Sequence, residues 1–254
     1  MNLLEGKKGL VVGIANRHSI AYGCAKAFHD AGAEIAITYV NEKAEPYVRP
    51  LGEGLDSPII MPCDVEKEGE LDAVFQKIEA DWGKLDFVLH SIAFAPRDDL
   101  HGRITDCSRA GFLQAMNVSV YSFIEMARRA EPLMKQGGAL LTVSYYGAEK
   151  VVDHYNLMGP VKSALEGTTR YLAAELGHKD IRVNALSPGP LSTRAASGIN
   201  HFDELIDEAR NRAPQRRLVT IEDVGNMAVG LASDQMKSVT GNIAYVDAGY
   251  HVMS

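Results

Sequence analysis

The chain has 254 residues, of which 46% are hydrophobic, and a net charge of −7. This length and apolar content can bury a large core, and α/β folds of this size are often one domain, predicted here over residues 1–254. The acidic excess, without a run of lysine or arginine, argues against nucleic acid as a partner. The N-terminal apolar stretch 9–15 is far shorter than the ~20 residues that span a bilayer, so neither membrane insertion nor a signal peptide is expected.

Strand-like and helix-like patterns alternate along the chain. In chain order they predict strand 8–14, helix 19–30, strand 34–39, helix 42–54, strand 58–62, helix 68–82 and strand 86–91. A loop then precedes a long helix to about residue 133, strand 139–144, helix 155–176, strand 182–186, helix 221–233 and strand 243–246. Seven strands separated by helices indicate a single-domain, Rossmann-like α/β fold, a doubly wound parallel sheet with helices on both faces.

Two long segments without a predicted strand interrupt this rhythm, residues 92–108 and 188–214. Both follow predicted strands, so both leave the sheet at the carboxyl ends of its strands, where such folds bind ligands. Loops of this length in a compact domain are commonly functional. We therefore expect ligand-binding residues in both segments.

The three cysteines, Cys24, Cys63 and Cys107, are an odd and widely spaced set without a metal-ligand pattern. We interpret them as buried free thiols in a reducing cytosol. The sequence thus predicts a cytoplasmic protein without a metal site.

The end of the first predicted strand has features of a dinucleotide site. Gly13 and its small neighbours let a pyrophosphate approach the backbone, and the following helix offers free amides and the positive end of its dipole. The stretch is not a G-x-G-x-x-G fingerprint, and Ser19 is equally consistent with an N-cap that touches no ligand. Asp64, after the third strand, either accepts a hydrogen bond from an adenine amino group or caps the next helix. The run 89–95 closes the fourth strand with small residues, which again indicates close contact with a ligand.

The segment after the second strand bears on the choice between NADH and NADPH, because a 2′-phosphate needs an arginine or lysine there. Val40 and Asn41 offer no charge, and Glu42 would repel a phosphate. Lys43 is a candidate phosphate partner. The sequence favours NADH over NADPH.

Tyr145, Tyr155 and Lys162 stand at intervals of ten and seven residues. Seven residues are almost two helical turns, about 10 Å, which would place Tyr155 and Lys162 on one helix face. A phenol can donate a hydrogen bond to a carbonyl oxygen that becomes an enolate, and an ammonium can hold ribose hydroxyls. The spacing could also be chance. Because Gly159 and Pro160 intervene, regular helix could begin only near Pro160, with Tyr155 on an irregular lead-in.

Together these elements resemble the short-chain dehydrogenase/reductase superfamily, and more closely the bacterial NADH-dependent enoyl-acyl-carrier-protein reductases of type II fatty-acid synthesis. Ordinary superfamily members carry the tyrosine four residues before the lysine, where this chain has Met158, whereas Tyr155 matches the enoyl-reductase pattern. The resemblance covers essentially the whole chain. Its marks are Gly13 with residues 19–23, and residues 90–96, 144–149, 155–162, 182–185, 188–190, 195–199 and 220–226.

The resemblance implies reduction of trans-2-enoyl thioesters by hydride transfer from NADH, the last step of the elongation cycle. Tyr155 would donate to the enolate, Lys162 would hold the nicotinamide ribose, and Tyr145 would donate to the enolate or instead gate or position the acyl chain. The implied cofactor contacts are Gly13, Ser19, Ile20, Val40, Asp64, Val65, Ile92, Lys162, Leu191, Ser192, Thr193, Arg194 and Ala195. Of these, Val40 would lie at the adenosine ribose, where NADH-using relatives often carry glutamine. The substrate contacts expected are Ala95, Tyr145, Met158, Ala195, Ile199 and Phe202.

Residues 193–212 are predicted to form a lid of one or two short helices over the acyl site. Ala195, Ile199, Phe202 and Ile206 recur at a helix-compatible spacing that could line it. The alternative is a plain amphipathic helix packed on the core.

A cluster of arginines lies beside this segment, formed by Arg210, Arg212, Arg216 and Arg217. Acyl carrier protein, the implied partner, is acidic and could dock there by complementary charge. Salt bridges between subunits are the equal alternative, since the resemblance also implies a homo-oligomer, a tetramer.

Two other functions are compatible with the fold. A 3-ketoacyl reductase is the nearest enzyme, but Met158 argues against it. The alternative outside the enzymes is a protein that binds the nucleotide without catalysing a reaction, because a fold alone does not prove chemistry.

Overall fold

The computed structural model describes residues 2–191 and 202–253. The strands are β1 (Lys8–Val12), β2 (Glu34–Tyr39), β3 (Ile59–Pro62), β4 (Phe87–His90), β5 (Gly138–Val143), β6 (Ile181–Pro188) and β7 (Ile243–Val246). The helices are α1 (Ile20–Asp30), α2 (Glu45–Glu53), α3 (Glu70–Trp82), α4 (Arg97–His101), α5 (Arg109–Met116), α6 (Ser122–Ala130), α7 (Met158–Leu176), α8 (Phe202–Arg212) and α9 (Ile221–Ala232).

All seven strands form one parallel sheet in the order β3-β2-β1-β4-β5-β6-β7. The predicted doubly wound fold is confirmed. The strand order reverses between β1 and β4, which are joined at their carboxyl ends by the pairing of Val12 with His90. Such a switch point opens the crevice in which α/β folds bind their ligands.

Helices cover both faces of the sheet because alternate strand residues point to opposite sides. Leu140 belongs to the apolar cluster that includes α3, α6 and α7 on one face, whereas the next residue, Leu141, belongs to the cluster that includes α1, α2 and α9 on the other. The strand Phe87–His90 is buried throughout. Continuous apolar runs of this kind are typical of parallel strands with two covered faces.

Helices α1 and α9 cross at two glycines. A Cβ atom at Gly23 would lie 2.5 Å from the Ile221 carbonyl oxygen, and one at Gly225 would lie 2.6 Å from the Gly23 oxygen. Only glycine permits so close an approach. The contact fixes α1, and with it the loop between β1 and α1 at the switch point.

Three predicted elements differ from the structure. Tyr155 does not lie in a helix, because α7 begins at Met158; the missing amide of Pro160 suits the first helical turn. The predicted loop 92–108 contains α4 and a 3₁₀ turn at Ile104–Asp106. The long helix that follows is interrupted by a π-helix at Asn117–Tyr121, whose wider turn redirects the side chains on it.

The three cysteines are free. Cys24 and Cys63 are buried, and burial raises the pKa of each thiol to about 12, which makes both poor nucleophiles. Cys107 is partly exposed, so its predicted burial is wrong. Among residues 2–191 and 202–253, no group of acidic, histidine and cysteine side chains is arranged to hold a metal ion. No helix in the same ranges is long and apolar enough to cross a membrane.

Candidate active site

Tyr145 and Tyr155 meet at the carboxyl end of β5. Tyr145 lies two residues after the end of this strand, whereas Tyr155 lies in the turn before α7. Their rings are arranged edge to face, with centroids 4.8 Å apart and planes at 63°. Gly147 makes the arrangement possible, because a Cβ there would lie 2.5 Å from Cδ1 of Tyr155 and 3.2 Å from Cδ1 of Tyr145.

Lys162 approaches the same strand end from α7. Its side chain is buried, and its Nζ donates a 2.6 Å hydrogen bond to the carbonyl oxygen of Val143, the last residue of β5. Burial lowers the pKa of this ammonium to about 8, and the opposing effect of Glu166 is smaller. The sequence therefore identified three residues that the fold brings to one strand end.

Both phenols are hydrogen-bond donors at neutral pH. Burial raises the pKa of Tyr155 far above its usual value, with smaller contributions from Tyr145 and Glu166. Burial likewise raises the pKa of Tyr145. The Tyr145 hydroxyl is buried without a hydrogen-bond partner among the described residues. A buried polar group left unpaired costs about 1–3 kcal/mol, so this hydroxyl indicates a place for a polar ligand atom.

Glu166 supports this site and was missed by the sequence analysis. It lies one turn after Lys162, accepts a 2.7 Å hydrogen bond from the Ser144 hydroxyl, and pairs with Arg170 at 3.4 Å. Burial raises the pKa of its carboxyl group. The signal was present in the sequence, since Lys162, Glu166 and Arg170 follow the i, i+4 spacing of one helix face.

The loops after β1 and β4 touch at the switch point. Gly13 has φ +115°, and a Cβ there would lie 2.0 Å from the Ser91 carbonyl oxygen. The Ser91 amide also donates to the Val12 carbonyl oxygen at 2.9 Å. The two loops therefore form one continuous backbone surface, as the small residues predicted.

Ser19 shapes the loop between β1 and α1. Its hydroxyl oxygen accepts hydrogen bonds from the amides of Ala15 at 3.0 Å and Asn16 at 3.1 Å, and it does not cap α1. Ser19 therefore occupies the N-cap position of α1, as the alternative predicted, but its side chain makes no capping hydrogen bond. The hydroxyl proton can still be donated to a ligand, and the first turn of α1 contains no acidic residue that would repel a phosphate.

The adenosine end lies beyond β2 and β3. Asp64 accepts from the Glu66 amide at 3.1 Å, and α3 begins only at Glu70 after Gly69, so the role of Asp64 as a cap of α3 is wrong. Val40 is 48% exposed beside the site. Three further residues named from the sequence, Ile20 at the start of α1, Val65 and Ile92, are partly buried against the core.

A buried polar network supports the loop after β4. His90 Nε2 lies 2.8 Å from the Ser122 hydroxyl and Nδ1 lies 2.9 Å from the Thr142 hydroxyl. Because Ser122 donates to the Val118 carbonyl oxygen, it accepts from His90, which places the imidazole proton on Nε2. Burial, reinforced by the charge of Lys162, lowers the pKa of His90 to about 3, so the ring is neutral.

Several predicted contacts fall in the loop after β6. Leu191 is partly buried against the core. Ser192, Thr193, Arg194, Ala195 and Ile199 lie outside the described residues, and so does most of the proposed lid before α8. Phe202 is the first residue of α8, but its side chain lies outside the described part.

The described part of α8 packs on the body of the protein. Ala209 contacts a small apolar cluster with Val219, Ala248 and Tyr250, and Ile206 is buried. On the substrate side, Met158 is buried at the start of α7, and Ala95 is partly buried against the same apolar cluster.

The arginine cluster is largely paired within the chain. Three of its members bind nearby carboxylates, Arg210 with Asp207 at 2.9 Å, Arg212 with Glu208 at 2.6 Å and Arg217 with Asp223 at 2.6 Å. Salt bridges between subunits are therefore not needed to balance these charges.

The site suits a nicotinamide dinucleotide. The contact of Gly13 with Ser91 places partly exposed backbone at the switch point, next to the Ser19 hydroxyl and the amino end of α1, as a pyrophosphate requires. At the other end, Lys162 can hold ribose hydroxyls, and the unpaired Tyr145 hydroxyl offers a further donor.

Comparison with known proteins agrees with this geometry. The sequence profile of the family described as enoyl-(acyl carrier protein) reductase matches residues 13–251. The chain is 49% identical over 251 residues to the NADH enoyl-acyl-carrier-protein reductase 1 of Rhizobium meliloti strain 1021, covering 99% of this chain and 92% of that protein.

Solved structures lead to the same family. The Anaplasma phagocytophilum reductase in complex with NAD superposes with a TM-score of 0.95 at 48% identity, over 99% of this chain and 96% of that one. The Bacillus cereus enoyl-acyl carrier protein reductase, solved with NADP+ and an indole naphthyridinone, gives a TM-score of 0.97 at 46% identity over 100% of both chains. The chain therefore belongs to the enoyl-(acyl carrier protein) reductase family.

Proposed function

We propose that this protein reduces trans-2-enoyl-acyl-carrier-protein to the saturated acyl thioester with NADH, the last step of the type II fatty-acid elongation cycle. The observation that carries the proposal is the meeting of the Tyr155 ring with Tyr145 beside the buried ammonium of Lys162. Met158 supports it over 3-ketoacyl reduction, since an apolar side chain suits an acyl chain better than a polar alcohol.

Tyr155 stabilises the developing enolate. When bound, NADH supplies the hydride that the β-carbon of the enoyl thioester accepts. Negative charge then develops on the thioester oxygen, and the Tyr155 hydroxyl, kept protonated by burial, donates a hydrogen bond to it. Protonation at the α-carbon completes the reduction.

Lys162 holds the nicotinamide ribose and adds positive potential near the enolate. In the free protein its Nζ donates to the Val143 oxygen, and an ammonium has three donors, so ribose hydroxyls can bind the others. The other residues that would contact NADH in this proposal are Gly13, Ser19, Ile20, Val40, Asp64, Val65, Ile92 and residues 191–195.

Tyr145 is the second donor of the site. Its buried hydroxyl, unpaired among the described residues, would gain a partner in a bound thioester. The acyl chain would then extend along Ala95 and Met158 toward Ala195, Ile199 and Phe202.

The test of this function compares substrates and cofactors. Loss of NADH absorbance with crotonyl-CoA, faster than with NADPH and absent with acetoacetyl-CoA, is the expected result. Turnover of the 3-ketoacyl thioester alone would assign a keto-reductase. NADH binding without oxidation, even with an enoyl-carrier-protein substrate, would assign a binding protein without catalysis.

Acyl carrier protein docks beside α8 in this proposal. Arg210 and Arg212 are about half exposed, with side-chain exposures of 52% and 39%, although each also pairs with a carboxylate on the same helix. Changing both to glutamate should raise KM for carrier-protein substrates but not for crotonyl-CoA. Arg128→Glu, at an exposed position on α6, is the control. Equal effects on both substrates would refute docking at this surface.

The protein also assembles as a homotetramer in this proposal. Large apolar side chains are exposed on three neighbouring helices, namely Phe112 and Leu113 on α5, Ile124 on α6, and Tyr171 on α7, which is 82% exposed. Such a concentration favours burial against another copy of the chain. Sedimentation equilibrium at the mass of one chain would contradict this assembly.

A further inference from the structure

The turn that carries Tyr155 has an unusual backbone. The residues on either side of Tyr155 are both left-handed, His154 with φ 63° and Asn156 with φ 39°. The left-handed conformation is unfavourable for residues with a side chain, though asparagine tolerates it better than most. Such a turn needs support from surrounding structure to keep one conformation.

Asn156 supplies a contact to a distant segment. Its Nδ2 donates a 2.9 Å hydrogen bond to the carbonyl oxygen of Leu100, in the last turn of α4. The last four carbonyl groups of a helix have no partner within the helix, so this oxygen accepts a bond that the helix itself cannot supply. Leu100 is partly buried against the core, which holds the acceptor in place.

The segment that Asn156 contacts is anchored at its other end by Ser119. The Ser119 hydroxyl accepts from the Phe94 amide at 3.1 Å and donates to the Phe94 carbonyl oxygen at 3.3 Å. Phe94 precedes Ala95, the predicted substrate contact, and α4 follows. The segment 94–100 is thus tied to the π-helix at its start and to the Tyr155 turn at its end.

The same turn leads directly into α7. The Met158 amide donates to the Tyr155 carbonyl oxygen at 3.0 Å, and the Gly159 amide donates to that of Asn156 at 3.0 Å. A displacement of Asn156 would therefore move the backbone of Tyr155, whose ring has little freedom beside Gly147.

We infer that Asn156 is a positioning residue, which fixes the Tyr155 hydroxyl relative to the bound enoyl thioester by tying the Tyr155 turn to α4. The inference rests on the proposed function, because it needs Tyr155 as the donor to the substrate. Asn156 acts through Tyr155 and the segment 94–100 without touching the reacting atoms.

Asn156→Gly separates the hydrogen bond from the backbone conformation, because glycine keeps the left-handed conformation and loses the donor. We expect kcat with crotonyl-CoA to fall about tenfold, the effect of one lost hydrogen bond. The Kd for NADH should stay unchanged. Asp153→Asn, at an exposed position in the same turn, is the control and should match wild type. Wild-type kcat in Asn156→Gly would show that only the backbone conformation matters, and would overturn the inference.

A double-mutant cycle tests whether Asn156 acts through Tyr155. In a Tyr155→Phe background, Asn156→Gly should lower the residual rate by less than about twofold, because the hydroxyl that it positions is already gone. A further tenfold loss would show an independent role and contradict the inference.

Hydrogen exchange provides a measurement that does not depend on turnover. The Leu100 and Gly102 amides, which donate to Pro96 and Asp98, should exchange faster in Asn156→Gly than in Asp153→Asn. Equal exchange rates of these amides in the two variants would show that the hydrogen bond from Asn156 to Leu100 does not stabilise α4. If wild-type protein failed to reduce crotonyl-CoA but the exchange changed as expected, the proposed function would fail and the tie would stand. Normal wild-type turnover with additive mutational effects would instead reject the positioning role alone.

Discussion

The Lys162 ammonium lies 2.6 Å from the Val143 carbonyl oxygen at the end of β5, in a buried position that lowers its pKa to about 8. The hydrogen bond to the carbonyl oxygen keeps the ammonium at the strand end, whereas burial makes the ammonium more acidic. The charge of this site is therefore sensitive to pH near the physiological range.

NADH binding should weaken as the pH rises through about 8. The pKa is lowered, so the charged form of Lys162 predominates below this value and is lost above it. We expect the Kd for NADH to rise about tenfold per pH unit above the pKa, because each unit removes tenfold of the protonated form. Fluorescence titration of NADH between pH 7 and 9.5 measures this change.

Lys162→Arg is the matched control, since a guanidinium stays protonated throughout this range. Its Kd should be weaker but independent of pH, whereas Lys162→Ala should lose most NADH affinity. The role of the Lys162 charge would be rejected by a flat wild-type profile.

Gly147→Ala should impair catalysis through the Tyr155 ring. The added Cβ would lie 2.5 Å from Cδ1 of Tyr155, so the ring must move. We expect kcat to fall at least about tenfold, as for other small misplacements of a catalytic group. Gly230→Ala is the control, because its Cβ would meet no atom within 4 Å on α9, across the sheet from the site. Wild-type kcat in Gly147→Ala would show that the ring position observed here is not required.

His90 should make folding stability depend on pH. Its pKa is about 3 in the folded protein, against an ordinary histidine value of 6.5, so the unfolded chain binds a proton between these values and the folded protein does not. Stability should therefore fall as the pH drops below about 6.5, by about 2 kcal/mol at pH 5.

Urea unfolding at pH 8 and pH 5, at one protein concentration, checks this expectation. His90→Asn should reduce the difference between the two pH values by about 2 kcal/mol, whatever its effect on absolute stability. His178→Asn, at an exposed position, should keep the wild-type difference. An unchanged difference in His90→Asn would mean that His90 does not cause the pH dependence.

The fold was predictable because the decisive information is local. The apolar runs 87–89 and 139–141 indicated two strands of a two-sided sheet, and the structure places both at its centre. The role of Gly13 was likewise predictable, because a glycine at the end of a strand allows another backbone segment to approach closely.

The contacts that hold the Tyr155 turn and the segment 94–100 could not be predicted from the sequence. Asn156 and Leu100 are separated by 56 positions, and Phe94 contacts Ser119, 25 positions away on a π-helix whose side-chain directions the sequence does not predict. The helical spacing of Tyr155 and Lys162 does not apply, because α7 begins only at Met158 and Tyr155 lies on the irregular lead-in that Gly159 and Pro160 suggested. Tyr155 reaches the strand end, where its ring contacts Tyr145, from a turn flanked by two left-handed residues, and spacing rules do not describe such a turn.

The role of Tyr155 as donor to the enolate is tested most directly by the kcat of Tyr155→Phe with crotonyl-CoA, measured together with its Kd for NADH. We expect a loss of about 10²–10³ in kcat, the usual cost of one oxyanion donor, with NADH binding unchanged. Tyr47→Phe, which removes an exposed phenol from α2, should behave as wild type. Turnover of Tyr155→Phe within twofold of wild type would contradict the assignment of Tyr155 as the donor to the enolate.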